Sequence, residues 1–510
     1  MPARLPTFWL KLVLAVGIVA AGDALLFDVD GLGANLGVLL LSATVAFAIV
    51  SPAVRRHRLS AIALAATALL ALLPFERPSF LGLLLWALAM AVAALGPRAA
   101  GGDDGWRWLQ RLVIGGLKAL VGPALDLRDA LKVRARSRPV MLTAVLLAAI
   151  LPIAGGTLFV ALFTNANPVI AQALATLSLP AFEPARLIFW VVLGLVVWAV
   201  LRPRGLRRFL KTPGLDRDLD LPGVTTASIT VSLAVFNLVF AIQNGLDIAY
   251  LWSGAGLPDG VTFAQYAHAS AYPLIATALL AGLFVVVFLR PGSATAARPL
   301  VRWLVIAWVA QNVFLVASTA LRTLDYIDAY SLTRMRIAAL LWMGVVALGL
   351  ILILWRLLSA RNSGWLINAN LVAAGLVLAV CSVVDLGSVA AAWNVRHARE
   401  FGGRGVELDL CYMRQLKGAA LVPLADIETR DIPPNLRDRI QYTRRVIQAE
   451  MADRQSHWRG WRGRDARRLS WTLLLIYEPP KMPSSVGRDC HGAYTPPPTP
   501  PLTPTANPRT

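Results

Sequence analysis

Residues 337–355 read IAALLWMGVVALGLILILW, nineteen consecutive positions without a charged side chain. An α-helix rises about 1.5 Å per residue, so about 20 such residues cross the hydrocarbon core of a bilayer. The stretch lacks the alternation of polar and apolar residues that a membrane β-strand requires. It therefore predicts a transmembrane helix.

Similar apolar runs recur along the chain and predict an all-α polytopic membrane protein with about eleven transmembrane helices. Hydrophobic residues make up 57% of the 510 and charged residues 15%, whereas a soluble domain carries about 25% charged residues. Arginine far outnumbers lysine, and alanine, glycine and leucine abound, which indicates a bacterial genome rich in G and C. The runs lie near 7–27, 33–51, 59–75, 79–96, 139–163, 185–201, 225–250, 273–290, 301–321, 337–359 and 365–391.

The segments that connect these runs alternate in charge, and this alternation predicts the orientation. Lys and Arg collect on the cytoplasmic side of short membrane loops. The N-terminus is therefore predicted inside and the chain after residue 391 outside, in the cytoplasmic (inner) membrane. The first run also resembles a signal peptide, and its cleavage would leave this orientation unchanged. One set of segments holds 25 Lys and Arg, and the opposite set holds five, namely Arg77, Arg186, Arg322, Arg334 and Arg336.

Three segments are predicted to lie outside the transmembrane helices of a domain that spans 1–391. The basic cytoplasmic segment 97–138 mixes aromatic and basic residues at 106–118, which suits the anionic headgroups of membrane lipids; a solvated linker helix is an equally good interpretation. Residues 392–478 predict a small extracytoplasmic helical domain that can contact an envelope protein or the cell wall. The Pro-rich end, 479–510, is predicted to be disordered.

The cysteines and sequence motifs predict no catalytic residue, cofactor or metal. Cys411 and Cys490 both fall on the predicted oxidising side and can pair. Because Cys490 lies beside the Pro-rich end, their pairing stays open. The chain has no Walker loop, HExxH, GxSxG or dinucleotide fingerprint. The string WRGWRGRDARR at 458–468 suits phosphates, but it lies outside in the predicted topology, so nucleic acid is not an expected partner.

Polar side chains are costly in hydrocarbon, so those within the predicted spans are the candidate ligand- or ion-binding residues. Asn237 and Asn244 are seven positions apart and share one helical face of the seventh span. Asp247, Arg322 and Asp385 are predicted at similar depth near the outer ends of three spans, where opposite charges can pair. The candidates are Asn237, Gln243, Asn244, Asp247, Gln311, Asn312, Arg322 and Asp385.

Two interpretations of these residues compete. In the structural one, the amides form hydrogen bonds between helices, worth about 0.6 kcal/mol each, and the Asp–Arg pairs fix helix packing. In the functional one, the same side chains line a cavity for a solute or ion. The amides favour the structural interpretation, and the three charged residues favour neither.

Five strings of the sequence are familiar when taken together. They are NPVIAQAL (167–174), FNLVFAIQNGLDIAYLW (236–252), LPDGVTFAQYAHASAYPLIATALLAG (257–282), WVAQNVFLVASTALRTLDYIDAYSLTRMRIAALLWM (308–343) and WLINAN (365–370). With these strings, most of 139–400 resembles a bacterial multi-pass membrane family catalogued as a domain of unknown function, with the number four-one-seven-three. The resemblance implies a membrane protein of many spans and supplies no activity.

The leading expectation is a small-solute transporter or permease that uses the polar residues of the seventh, ninth and eleventh spans and is not an enzyme. The paired inverted repeats of many transporters are not visible in the sequence. One alternative is a membrane anchor or sensor that presents 392–478 to an envelope partner. A second alternative is a lipid- or envelope-modifying membrane enzyme that works at the outer face.

Overall fold

The computed structural model describes residues 5–27, 31–99, 103–135, 183–204, 225–253, 263–289 and 293–494, with a few positions between 155 and 164. Within these residues the secondary structure is helical, apart from one isolated bridge between Arg488 and Tyr494. The predicted all-helical fold class is therefore confirmed. The predicted span 139–163 lies largely outside the described residues.

The described helices fall into a membrane bundle and a C-terminal group. In chain order the bundle contains α1 (Leu5–Leu26), α2 (Ala34–Val50), α3 (Pro52–Arg56), α4 (Arg58–Ala71), α5 (Leu73–Glu76), α6 (Phe80–Leu95), α7 (Gly105–Ala135), α8 (Pro184–Leu201), α9 (Thr226–Asp247), α10 (Phe263–Phe288), α11 (Ala294–Ala297), α12 (Pro299–Tyr330), α13 (Arg334–Leu358) and α14 (Ser363–Val383). The C-terminal group contains α15 (Leu386–His397), α16 (Leu410–Leu416), α17 (Gly418–Glu428), α18 (Pro434–Gln455) and α19 (Gly463–Leu475).

Eight helical segments among the described residues are long and apolar enough to cross a membrane. They contain α1, α4 with α5, α6, α8, α9, α12, α13 and α14. Two further runs are shorter apolar helices, Ala34–Val50 and Ala276–Phe288. The described residues therefore support a multi-pass arrangement with eight candidate spans, and they do not confirm the predicted number of eleven.

Several membrane helices begin at a side chain that accepts hydrogen bonds from their first backbone N–H groups, which have no partner within the helix. Thr225 and Ser228 form a reciprocal capping box at the start of α9. Thr333 caps α13 and Asn362 caps α14 in the same way. These caps fix where each helix starts at the edge of the apolar region.

Two apolar cores hold the bundle together. One joins α1, α2, α4, α6 and α8 around Phe47 and Met90, and the other joins α9, α10, α12 and α13 around Leu233 and Trp308. The opposite faces of these helices expose many Leu, Val and Ile side chains. Such faces fit a bundle whose solvent is lipid, because lipid does not penalise apolar surface.

The C-terminal group forms a compact helical unit on one end of the bundle, which we call the cap: α15 to α19 and the chain up to Tyr494. Its core also contains Ile327 from the end of α12 and Leu332 from the turn after it. The predicted boundary at 391 falls inside α15, whose Ala390 and Ala391 are fully buried in the cap core. Residues 365–391 are apolar almost throughout, so composition alone does not reveal the break between α14 and α15.

Residues 479–494 of the Pro-rich end, which is predicted to be disordered over 479–510, are linked to the cap at two points. Cys490 forms a disulfide with Cys411, with 4.9 Å between their Cα atoms. Arg488 pairs with Asp438 of α18 at 2.6 Å. These two links hold 479–494 against the cap, and 495–510 lie outside the described residues.

Candidate functional site

Helices α9 and α12 run parallel and are joined by polar contacts at a nearly constant sequence offset. The partners are separated by 69, 67, 67 and 66 residues from the first contact to the last. A constant offset means that the two helices advance together in the same direction. The first contact joins Thr226 of α9 to Thr295 of α11, the short helix directly before α12 (2.8 Å). The others join Asn237 to the carbonyl of Leu304 (3.0 Å), Asn244 to the carbonyl of Gln311 (3.2 Å) and Trp252, just after α9, to Ser318 (3.0 Å).

A second set of contacts joins α9 to residues of α12 that lie about two helical turns further along than the partners in the first set. Gln311 donates from Nε2 to Oδ1 of Asn237 at 2.8 Å, and Arg322 forms an ion pair with Asp247. Gln243 donates to the same oxygen of Asp247, Oδ1, at 3.0 Å. The side chains Asn237, Gln243, Asn244, Asp247, Gln311 and Arg322 form one line between the two helices, which we call the polar seam.

The ion pair of the polar seam is buried. The side chain of Asp247 is 1% exposed and that of Arg322 is 4% exposed. Oδ2 of Asp247, Oδ1 of Asn244 and Oε1 of Gln311 are buried and accept no hydrogen bond from any described residue. A buried acceptor without a donor costs about 1–3 kcal/mol. The seam therefore combines a neutralised ion pair with three acceptor oxygens that a bound group can satisfy.

The chain forms a π-helical turn, Ile248–Trp252, directly after Asp247. Single π turns are rare and are frequently found at functional sites. Here the turn is followed by the contact between the Trp252 indole and Ser318, which lies one helical turn before Arg322 on α12. The indole thus lies next to the ion pair at one end of the seam.

Asn312, another sequence candidate, does not join the seam contacts that the structure describes. Its amide nitrogen donates to the carbonyl of Trp308 on its own helix at 2.8 Å. Its side-chain oxygen is buried and has no partner among the described residues. Among the described residues, the Asn312 side chain therefore bonds to its own helix and has no hydrogen-bond partner on another helix.

Asp385 lies in a separate site at the junction of the bundle and the cap, which we call the arginine node. Its carboxylate accepts from Arg77 at 2.9 Å and from Arg468 of α19 at 2.6 Å, with Arg464 at 3.8 Å. It also caps α15 through the backbone N–H of Gly387. Of the three charged residues predicted at similar depth, Asp247 and Arg322 pair with each other, whereas Asp385 pairs with arginines at the junction.

The arginine node lowers the pKa of Asp385. Burial alone would raise this pKa, but the hydrogen bond from Arg468 and the charges of Arg77 and Arg468 outweigh burial and bring it to about 2. The carboxylate is therefore ionised at neutral pH. Its negative charge links a loop of the bundle to a helix of the cap.

The five basic residues that stand on the weakly charged side of the predicted topology all have partners. For Arg77, Arg186 and Arg322 the partner is a carboxylate, which neutralises the charge, whereas Arg334 and Arg336 donate to backbone carbonyls and keep their charge. The pairs are Arg77 with Asp385, Arg186 with Asp23, Arg322 with Asp247, Arg334 with the carbonyl of Leu416, and Arg336 with the carbonyls of Tyr330 and Ser331.

Sequence reasoning missed Arg77, Arg464, Arg468, Trp252 and Ser318 as members of these sites. The arginines of α19 carry a usable signal, because residues three and four apart share a helical face. Their partners are not visible in the sequence, since Arg77 lies 308 residues from Asp385.

One further cluster has metal-ligand chemistry. Ligand atoms of Cys411, Cys490 and His491 lie within 4.8 Å of one another. The two cysteines are joined in a disulfide and offer no thiolate, and thiolate is the form that binds metals. Cys411 and Cys490 instead form a covalent link within the cap.

Comparison with known proteins places the chain in a family. Residues 61–427 match the model of a domain of unknown function, DUF4153. The match covers more than half of the 510 residues, and the chain therefore belongs to this family. The predicted resemblance to a family of unknown function is confirmed in part. The number four-one-seven-three is wrong, because the matching family is DUF4153. No curated protein and no solved structure matches the chain. Its apolar helices and its family fit an integral multi-pass membrane protein of unknown function.

Proposed function

We propose that the protein is a small-solute transporter or permease whose binding site is the polar seam. The observation that carries the proposal is the buried pair of Asp247 and Arg322, flanked by acceptor oxygens without described donors. A charged side chain within a membrane helix costs about 2.5–3.5 kcal/mol on insertion scales, and such residues commonly mark solute or ion pathways. Amides alone would suffice to hold α9 against α12.

The chemistry of the seam favours a solute that donates hydrogen bonds. The oxygens available are Oδ2 of Asp247, Oδ1 of Asn244 and Oε1 of Gln311. A protonated amine, a hydroxylated solute or a monovalent cation can satisfy such oxygens, whereas an anion would be repelled by them. Asp247 and Arg322 sum to zero charge, so a neutral hydroxylated solute adds no net charge to the site, whereas a cation or a protonated amine adds one positive charge.

The seam ends beneath the cap. Arg322 precedes Ile327, a member of the cap core, by five residues, which corresponds to about 7.5 Å along α12. In the proposed orientation the cap and this end of the seam face outward, in a bacterial inner membrane. The disulfide between Cys411 and Cys490 supports that orientation, because disulfides persist in oxidising compartments.

A thermal-shift screen on the purified full-length protein tests the proposal. The panel contains Na⁺, K⁺, NH₄⁺, amino acids, polyamines and sugars. At least one member is expected to raise the melting temperature of the wild type and of the matched control Asn370→Ala, whose amide donates to Leu366 on its own helix. The same compound is expected not to stabilise Asn244→Ala or the double variant Asp247→Asn with Arg322→Gln.

The double variant is used because Asp247→Asn alone would leave Arg322 buried without a counter-charge, at a cost of about 3–5 kcal/mol. Each variant must first melt as a single cooperative species. If no panel compound shifts the wild type, or if the seam variants respond as the control does, the seam is a packing feature and the proposal fails. A hit is then tested for uptake into proteoliposomes.

A second candidate function is a membrane anchor or sensor that presents the cap to an envelope partner. The cap favours it because it has its own core and a disulfide. Photo-reactive residues placed at the exposed positions Arg430 and Val486 of the full-length protein are expected to capture one partner in cells under this function. Capture of nothing from either position argues against it.

We also infer that the cytoplasmic-side partner of the bundle is the lipid surface along α7. This helix exposes apolar side chains at every fourth position. Successive members of this row are about 40° apart around the helix axis, so Leu109, Val113 and Leu117 lie within about 80° and share one apolar face. Such a face suits a helix that lies along a membrane with its apolar side in the headgroup region. The exposed side chains are Leu109, Val113, Leu117, Val121 and Leu125.

A further inference from the structure

Arginine side chains on one face of α19 bind the ends of membrane helices. Arg464 donates to the carbonyl of Val383, the last residue of α14, at 3.1 Å. Arg467 pairs at 2.5 Å with Glu76, the last residue of α5. Arg468 pairs with Asp385 in the turn after α14. This face of α19 is therefore directed toward the membrane helices, and α19 lies at the level where they end.

The contact is tightened by the turn before α19. The backbone N–H of Ala34, at the start of α2, donates to the carbonyl of Trp461 at 2.9 Å. A Cβ atom on Gly33 would lie 2.5 Å from that carbonyl oxygen, so the close approach requires glycine. The chain from 461 to 468 is thus anchored at the ends of three membrane helices.

The same face continues past these anchors with apolar side chains. Residues three, four and seven positions apart share one face of a helix. Trp471 follows Arg467 by four positions, Leu474 follows it by seven, and Leu475 follows Arg468 by seven. These side chains are 60%, 77% and 41% exposed. The last turns of α19 therefore present three large apolar groups on the side from which the arginines reach the membrane helices.

The neighbouring surface of the bundle is also apolar and exposed. Val380, Val383 and Val384, at the end of α14 beside Arg464, have more than a third of their surface exposed. Clusters of exposed apolar side chains mark an interaction site. The apolar end of α19 continues the surface by which α14 faces the lipid.

We propose that Trp471, Leu474 and Leu475 insert into the headgroup region of the bilayer on the side of the cap, so that α19 is an interfacial helix. Tryptophan concentrates at the boundary of membrane and water, where an apolar ring can keep its N–H wet. Arg467 is 60% exposed although it pairs with Glu76, and it can also face an anionic headgroup. This inference does not depend on the transport proposed for the seam.

Lipid-quenching of a fluorophore on the full-length protein tests the insertion. A nitrobenzoxadiazole label is placed on Leu474→Cys in a Cys381→Ser background, under non-reducing conditions that preserve the disulfide. The protein is reconstituted in vesicles of phosphatidylcholine and phosphatidylglycerol. The matched control is Val486→Cys, which is 83% exposed on the cap but outside α19. Both side chains are exposed, so neither replacement should disturb the fold.

The label at 474 is expected to be quenched by lipids that carry a spin label near the headgroup, at least about twofold more than the label at 486. It is also expected to be shielded from iodide in the water. Quenching by iodide at both positions, without lipid quenching at 474, would overturn the proposal. So would a label at 474 shielded from both quenchers, because it would show that protein covers this face, either a partner or another segment of the chain.

Discussion

Replacing Asp385 by asparagine removes the negative charge of the arginine node and keeps an N-capping side chain for α15. Asp385 accepts from Arg77 at 2.9 Å and from Arg468 at 2.6 Å. Its loss leaves these arginines and Arg464 near one another without their common counter-charge. The contact between the cap and the bundle is therefore expected to weaken while the cap itself stays folded.

The size of the effect follows from the pKa of Asp385. This pKa is about 2 in the folded protein, against 3.8 for an ordinary aspartate. Each pKa unit corresponds to about 1.4 kcal/mol, and partial contact with water reduces the total to about 1–2 kcal/mol. A loss of this size raises the population of the undocked cap about 5- to 30-fold.

Hydrogen exchange at neutral pH measures this change directly. The amide of Ala34, which is bonded to Trp461, and the amides of α19 are expected to exchange about 5- to 30-fold faster in Asp385→Asn. The control is Asp431→Asn, an exposed carboxylate of the cap. Exchange that changes equally in both variants, or in neither, would refute the assigned role of Asp385.

The same pKa fixes a pH dependence. Because the folded pKa is depressed, the charge of Asp385 contributes stability that is fully present above 3.8 and is lost as the pH falls through about 2. The free-energy difference between wild type and Asp385→Asn is therefore expected to be constant above this window and to shrink within it. A difference that stays constant down to pH 2 would contradict the assignment.

Three further changes have defined outcomes. Replacing Cys411 and Cys490 by serine is expected to destabilise the cap by about 2–4 kcal/mol, read as a lower melting temperature that reductant no longer alters. Arg322→Gln alone is expected to destabilise the bundle by about 3–5 kcal/mol, and adding Asp247→Asn should restore part of this loss in a melting experiment. A spin label on Leu117→Cys is expected to be more accessible to oxygen than to a water-soluble nickel reagent; the opposite order would place α7 in water.

Much of the bundle could be predicted because lipid is a simple solvent. A long apolar run satisfies its backbone hydrogen bonds in lipid by forming a helix, so most of the described spans begin and end near the predicted limits. Two do not: Pro299–Tyr330 extends beyond the predicted end at 321, and Ser363–Val383 ends before the predicted end at 391. The pairing of Asp247 with Arg322 was also within reach. Both charges stand in predicted membrane spans, and each needs an opposite charge at the same depth.

The arginine node was beyond sequence reasoning for an equally physical reason. The apolar run 365–391 contains two helices that lie in different environments, and only Asp385 marks the break between them. Its role as a cap is local and visible, but its partners lie 308 and 83 residues away in sequence. Long-range ion pairs of this kind depend on how the cap is docked, which no local pattern encodes.

Residues 479–494 of the Pro-rich end illustrate a different limit. Proline and glycine in this stretch disfavour helix and strand, and on composition it has no core of its own. Arg488 pairs with Asp438 of α18, and Cys490 is bonded to Cys411 of α16. These two links connect the stretch to the cap, and the composition of the segment reveals neither partner.

The orientation of the cap is the claim on which the outward-facing seam most depends, and cysteine labelling in intact bacterial cells tests it most directly. In a Cys381→Ser background, Val486→Cys on the cap and Arg55→Cys on the predicted cytoplasmic side are both exposed. A membrane-impermeant maleimide is expected to label position 486 before the cells are opened and position 55 only afterwards. Labelling of 55 before opening, with 486 silent until lysis, would place the cap in the cytoplasm and contradict the proposed outward-facing seam.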